Sequence, residues 1–372
     1  MFIFLVYIST DFLGLYNSFE ANGDELLHTQ KSIDNKHKIL DWLNQLHNKE
    51  KRRVLSGQYF IFNENDVENI YQKLNTYPAL VETYLWQTNW GTGKKQNAGN
   101  GGLYWPRAEI HRKLLLEYWQ KGSLISIHMP IPNPKNMSWQ KDLDLTLNEY
   151  SRIYTEDGNP INENYRKWLD KLAEHIMWII TNSGNKAVII IRPLHERSPY
   201  FWWGYINSAH DQWTKTKIPA NKYIALFRYT VDYLKKEKNL VDHLIITYSM
   251  HEKYIEDNYY PGDNYVDLIG LDIYNGKAFS KQSGYAAILD NLYLKYHKPV
   301  YASELGWHWN NANVNAQTKN AEEDVILELL NNSQYSFGWL SWCKNNSPIA
   351  QKNAKQLYVN PYVITQDKMN WK

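Results

Sequence analysis

The chain has 372 residues, long enough for one α/β barrel with extended loops, and its 43% hydrophobic and 22% charged content describes a water-soluble globular protein with ample core. Its 41 Lys and Arg nearly balance 39 Asp and Glu, and a net charge of +2 lacks the basic excess that a nucleic-acid or membrane-surface binder needs. The single cysteine, Cys343, excludes an internal disulfide, and no run of eighteen apolar residues is present to cross a membrane.

In chain order, the first segment is "MFIFLVYISTDFLG", which is apolar but has no Lys or Arg before Lys31. It therefore lacks the positive region of an ordinary signal peptide, and residues 1–22 are read as a signal remnant or a disordered terminus. Residues 24–50 repeat their apolar positions near the helical period and predict leading helices. Eight apolar, β-type runs follow: "RVLSGQYF" (53–60), "PALVETYLW" (78–86), "SLISIHMP" (123–130), "AVIIIRPLHE" (187–196), "HLIITYS" (243–249), "VDLIGLDIY" (266–274), "PVYASELGW" (299–307) and "SFGWLSWC" (336–343). Amphipathic helices are predicted between them, as at 164–183 and 221–239, whereas 250–264 reads as loop. Near-continuous apolar strands covered by helices indicate a parallel sheet. Eight such units indicate closure into a (β/α)8 TIM barrel, an α/β fold, here one domain over 23–372 with an N-terminal helical extension.

In such a barrel the reactive groups sit at the C-terminal ends of the strands. The third run ends in His128, the fourth in His195 and Glu196, the sixth in Asp272 and Tyr274; the seventh carries Glu304 and the eighth Trp342. Each alone is more often a satisfied polar residue at a strand end than a catalyst; their convergence on one barrel mouth is the informative feature. Strands four and seven of a closed eight-stranded barrel face each other, so Glu196 and Glu304 are opposed. Two opposed carboxylates suit hydrolysis of an acetal: one donates a proton to the leaving oxygen, and the other attacks or stabilises the anomeric carbon. The chain holds 16 Trp and 29 Tyr, and the rings just after Glu196, including Trp202 and Trp203, are read as a surface on which a sugar docks.

Other chemistries fit less well. The zinc motif HExxH fails because Pro199 stands where the second histidine belongs, so no metal and no cofactor are expected. "GTGKKQNAGNGG" (91–102) lacks the ending of a phosphate loop and reads as a loop able to overhang the cleft. Ser249 and Ser303 show no nucleophile elbow, Asp263 and Asp267 read as structural, and Phe337 and Trp339 as core. A non-catalytic polysaccharide-binding barrel is the rival class; it would keep the aromatics and lose the carboxylates.

The segments "VLSGQYF", "SLISIHMPIPNP", "IIIRPLHE" followed by "FWWG", "YYPGDNYVDLIGLDIY" and "PVYASELGW" resemble glycoside hydrolase family 26 over about residues 53–343. The resemblance implies that Glu196 is the acid/base and Glu304 the nucleophile of a retaining enzyme. It implies that His195 stands beside the acid/base, that His128 lines the −1 sugar site and that Tyr274 hydrogen-bonds the nucleophile. Trp342 would be the platform under the −1 sugar, and Arg192 a fixed cation beneath the carboxylates, with Asp272 supporting. The segment between "HE" and "FWWG" is one residue shorter than usual, and Tyr200 stands nearest the place of the family's leaving-side tryptophan. The implied substrate is β-1,4-mannan, with β-1,3-xylan or mixed-linkage β-glucan as alternatives. The expected partner is a polysaccharide or oligosaccharide, with no nucleic acid and no membrane insertion, for a monomer that is secreted or periplasmic. A retaining pair predicts carboxyl groups about 5–5.5 Å apart.

Overall fold

The computed structural model describes residues 34–51, 53–60, 65–85, 107–138, 140–207, 214–274, 284–306, 326, 329–343 and 346–371. The segment 1–22 and the glycine-rich loop 91–102 lie outside the described residues.

Every one of the eight predicted runs contains a strand: β1 (Gly57–Tyr59), β2 (Leu80–Thr83), β3 (Leu124–Met129), β4 (Ile189–Pro193), β5 (Leu244–His251), β6 (Leu268–Ile273), β7 (Val300–Leu305) and β8 (Ser336–Ser341). Each pairs in parallel with the next, and β8 closes back onto β1 through Ser341 opposite Gln58. The result is the expected closed (β/α)8 barrel. All eight strands are buried on both faces, which is why they read as continuous apolar runs and not as alternating ones. The first run also contains Val54–Leu55, which pairs with Val363–Ile364. Ser56 marks the junction: its hydroxyl donates to Ile364 O at 2.9 Å and accepts from the Ala79 N–H at 3.3 Å.

The covering helices have local causes. Thr146 and Glu149 form a reciprocal capping box at the start of α1 (Leu147–Thr155), satisfying two otherwise orphaned N–H groups. Asn159 caps α2 (Pro160–Asn182), and Pro160 sits in its first turn, where no N–H partner is needed. The buried face of α2 carries Trp168, Leu169, Leu172, Ile176, Ile179 and Ile180 at helical spacing. The predicted helix at 221–239 is α3 (Ala220–Asp232), continued by a π-turn at Tyr233–Glu237. Between β5 and β6 the chain makes only two short 3-10 turns, Asp257–Tyr259 and Asp263–Tyr265, as its lack of periodicity predicted. Of the leading helices, residues 34–45 are described and helical. Asp263 accepts from Tyr260 Oη at 2.8 Å and Asp267 from the Ile246 N–H at 2.8 Å, the structural roles expected of both. Among the described residues no helix is long and apolar enough to cross a membrane.

Candidate active site at the C-terminal barrel mouth

The site begins where β4 stops being a strand. Ile189–Pro193 run in register beside β3, with Arg192 opposite His128. Beyond Pro193 the backbone turns sharply, and Leu194, Glu196 and Arg197 all adopt left-handed φ values of 48°, 62° and 43°. For residues with a Cβ this costs on the order of 1–2 kcal/mol each, so the surroundings must over-determine the turn. They do. The Glu196 N–H donates to Ser249 O on β5 at 3.1 Å. Tyr223 Oη donates to Leu194 O at 2.9 Å, and Trp203 Nε1 to His195 O at 2.8 Å. Gly204 backs directly onto Arg197: a Cβ there would stand 2.8 Å from the Arg197 carbonyl carbon, so no larger residue fits.

That packing corrects the expected role of two rings. Trp202 and Trp203 have no exposed surface, and a ring with no free face cannot stack on a sugar. Trp202 Nε1 donates to Ile131 O at 3.0 Å, and Trp203 stacks on Phe201 with centroids 4.6 Å apart and planes 7° from parallel. Both indoles hold the turn from behind. The rings that do reach solvent are others. Tyr200 is 55% exposed, with the ammonium groups of Lys141 and Lys215 at 5.6 and 5.5 Å from its centroid. Trp342 is partly exposed, 4.6 Å from the Tyr59 ring and 6.4 Å from that of Tyr274.

Arg192 is the centre of the charge arrangement. Its guanidinium is fully buried and faces three carboxylates from three strands: Glu82 on β2 (Nε to Oε1, 3.0 Å), Asp272 on β6 (Nη1 to Oδ1, 3.0 Å) and Glu304 on β7, which Nη2 contacts closely. Nη1 also donates to Ser249 Oγ at 2.9 Å, and Nη2 to Tyr59 Oη. Glu304 thus receives donors on both oxygens: Arg192 and Tyr59 Oη (3.1 Å) on Oε1, and Tyr274 Oη on Oε2. Asp272 accepts in addition from Ser249 Oγ at 2.8 Å and Ser303 Oγ at 2.5 Å. Burial pushes the Asp272 carboxyl up to about 7, against the pull of Arg192 and the two hydroxyls. Burial also raises Glu82, again opposed by Arg192.

Glu196 lies across from this cluster and makes no ion pair of its own among the described residues; Ser198 Oγ stands 3.4 Å from its Oε2. One carboxylate oxygen each of Glu196, Asp272 and Glu304 lie within 4.8 Å of one another. Glu196 is held well above the usual carboxylate range, first by burial and then by the negative charges of Glu304 and Asp272, with Arg192 and Lys141 opposing weakly. The electrostatics are therefore asymmetric: one carboxylate is cradled by donors and the other is arranged to keep a proton.

His128 and His195 complete the floor. His128 Nε2 and His195 Nδ1 share a proton at 3.0 Å, and His128 Nδ1 lies 3.5 Å from both Tyr59 Oη and Glu304 Oε1. Burial and the neighbouring positive groups lower both imidazoles well below their ordinary value, so both are neutral at pH 7. As possible metal ligands, two groups have donor atoms close enough: His128, His195 and Glu304, and Glu196, Asp272 and Glu304. In both, Glu304 already bonds the Arg192 guanidinium, which supplies fixed positive charge at that carboxylate.

Of the residues singled out in the sequence, Glu196, Glu304, His128, His195, Arg192, Asp272, Tyr274 and Trp342 are brought together at one end of the barrel; Tyr200 stands at its rim. Tyr59, Glu82, Ser249 and Ser303 were missed. The signal for Glu82 was present: like Asp272 and Glu304 it is an acidic residue inside an apolar strand run, and a carboxylate buried there requires a cationic partner.

With this geometry in view, the family model for Glycosyl hydrolase family 26 matches residues 29–368, most of the chain. The chain belongs to glycoside hydrolase family 26. Among the curated relatives of this family 26 chain, "Mannan endo-1,4-beta-mannosidase A and B" of Caldalkalibacillus mannanilyticus is 26% identical over 298 residues, 78% of this chain but only 53% of the relative. The chain thus spans about half the length of that protein. "Mannan endo-1,4-beta-mannosidase" of Bacillus subtilis is 25% identical over 354 residues, covering 89% of this chain and 85% of the relative. The solved Bacillus subtilis mannanase man26 superposes with a TM-score of 0.71 over 88% of this chain and 91% of that one, at 22% identity, a likeness of fold.

Proposed function

We propose that this family 26 chain is a retaining endo-β-1,4-mannanase, with Glu304 as nucleophile and Glu196 as acid/base. The observation that carries the reading is the closeness of the two carboxylates in unequal surroundings: oxygens within 4.8 Å, Glu304 bound by Arg192, Tyr59 and Tyr274, and Glu196 pushed toward its protonated form. A pair this close leaves no room for a water between the nucleophile and the anomeric carbon, so the carboxylate itself attacks.

In the first step Glu304 Oε attacks the anomeric carbon while Glu196 gives its proton to the departing glycosidic oxygen. The C–O bond to the leaving sugar breaks as the ester bond to Glu304 forms. In the second step Glu196, now ionised, takes a proton from water as that water attacks the same carbon. The ester bond breaks, Glu304 leaves as carboxylate, and Glu196 is again protonated. Arg192 and Tyr274 balance the charge on Glu304 when it leaves. His128 lies on the nucleophile's side of the site and, neutral, can donate to or accept from a sugar hydroxyl. Trp342, partly exposed beside Tyr59 and Tyr274, is suited to carry the apolar face of the sugar being cleaved.

The mannan preference rests on the curated relatives. A polymer of this kind is met outside the cell, which favours a secreted or periplasmic site of action. Reducing-end assays on linear mannan, galactomannan, lichenan and β-1,3-xylan test the substrate. Turnover of mannan with retained anomeric configuration is expected; turnover only of xylan or lichenan would reassign the substrate, and tight oligosaccharide binding without turnover would make the chain a binding barrel.

A further inference from the structure

We infer that Arg197 is a positioning residue for the acid/base: its side chain ties the strained turn carrying Glu196 to the β5–β6 loop. The inference rests on the assignment of Glu196 proposed above. Arg197 directly follows Glu196, and both residues are left-handed, at 43° and 62°. Two consecutive side-chain-bearing residues in that region return to ordinary backbone geometry unless something outside the turn holds them. Three anchors hold the backbone before Arg197: Tyr223 at Leu194, Trp203 at His195 and Ser249 at the Glu196 N–H. At Arg197 the backbone packs against Gly204, and the anchor that reaches beyond the turn is its own side chain.

That side chain is 3% exposed, unusually deep for an arginine at a loop. Nη2 donates to Tyr254 O at 3.0 Å and lies 3.3 Å from Glu256 Oε1. The guanidinium carbon sits 3.7 Å from the centre of the Tyr259 ring, a stacking contact that arginine makes and lysine does not. The partners are themselves fixed. Lys217 Nζ donates to Glu256 Oε1 at 2.6 Å, and Tyr259 Oη donates to Ile218 O at 2.7 Å. The guanidinium therefore joins three pieces: the turn after β4, the loop after β5, and the hairpin Tyr205–Asn207 with Lys215–Lys217. The guanidinium contacts Tyr254, Glu256 and Tyr259 and pairs with none of Glu82, Asp272 and Glu304, so it acts through the backbone it shares with Glu196. A proton donor must lie within hydrogen-bond reach of the leaving oxygen, and a displacement of about 1 Å is enough to cost roughly a hundredfold.

A positioning role makes a prediction that simple destabilisation does not. Only reactions that need the proton should suffer. The test compares kcat/KM on phenyl β-mannobioside, whose leaving group needs protonation, with 2,4-dinitrophenyl β-mannobioside, whose leaving group does not. Arg197→Met is expected to lose roughly tenfold or more on the phenyl substrate and about twofold or less on the dinitrophenyl one. Arg197→Lys, which keeps the charge and loses the stacking, should fall between wild type and Arg197→Met. In a Glu196→Ala background, Arg197→Met should cost nothing further on the phenyl substrate, since the group it positions is gone. Glu256→Gln is the second variant, needed if Arg197→Met does not fold; it removes one anchor of three and should show the same selectivity at about threefold. Equal losses on both substrates, or full additivity with Glu196→Ala, would overturn the inference. Glu196→Ala alone separates the two levels. If it shows the leaving-group gap and the Arg197 and Glu256 variants do not, only the positioning role fails. If it shows no gap, the acid assignment fails first, and the positioning role with it.

Discussion

Replacing Arg192 by methionine keeps most of the side-chain volume and removes the cation that Glu82, Asp272 and Glu304 share. Orphaning a buried charge costs about 3–5 kcal/mol. The three carboxylates share one guanidinium, so the costs do not add, and the lower single-pair figure is the appropriate one. Unfolding entropy of about 2.1 cal/mol/K per residue gives about 0.8 kcal/mol/K for 372 residues, so Tm should drop by about 4–6 °C at pH 7. The loss should also depend on pH, and the sign follows from linkage. Burial already raises Asp272 to about 7, so between the unfolded carboxylate value near 4 and about 7 the folded chain holds a proton that the unfolded chain releases. The contribution of this group to stability therefore falls as pH rises through that window. Without Arg192, which opposes the shift at Asp272 and Glu82, both carboxyls rise further and the decline steepens and extends above pH 7. Thermal melts of the two proteins from pH 5 to pH 8 should show a Tm gap that widens with pH. A gap below about 1 °C at pH 7, or one constant across the range, would refute the account of the buried cluster.

The remaining predictions concern the catalytic groups and the corrected rings. Glu304→Ala should abolish turnover on every substrate, whereas Glu196→Ala should retain much of the activity on an aryl glycoside with a good leaving group; equal loss contradicts the roles. In wild type, kcat/KM should fall as pH rises through the elevated pKa of Glu196, because the proton needed by the leaving oxygen is then lost. In Glu196→Ala acting on the activated aryl glycoside, that basic limb should flatten, and its persistence would exclude Glu196 as the titrating acid. Tyr274→Phe deletes one donor to Glu304 and should cost about 1.5–3 kcal/mol of transition-state stabilisation, roughly ten- to a hundredfold in kcat/KM, with Tm unchanged within about 1 °C. Trp202→Ala should cost about 3–5 kcal/mol in stability by denaturant unfolding while leaving KM for mannan oligosaccharides within about twofold; a large rise in KM with intact stability would return Trp202 to the binding surface.

The barrel was legible in the sequence because its signals are local. A strand buried on both faces must be apolar throughout, so each of the eight runs announced itself within ten residues, and the run "AVIIIRPLHE" ended in polar groups that only a strand tip can hold. The facing carboxylates followed from strand order, since strands four and seven stand three places apart in an eight-stranded ring and their tips look across the mouth. Two things depended on packing and were not legible. Trp202 and Trp203 follow Glu196 as a docking surface would, yet they are fully enclosed, because which face of a loop is covered depends on elements far away in the chain, here Ile131, Tyr150 and Tyr165. The four-way meeting of Arg192 with Glu82, Asp272 and Glu304 joins residues up to 222 positions apart, and only ring closure brings them to one guanidinium. Sequence alone determined that Glu196, Asp272 and Glu304 stand at the ends of strands of one barrel. The tertiary structure decided their protonation, because burial and the nearest charge set a carboxyl's affinity for its proton, and both are properties of the space around it.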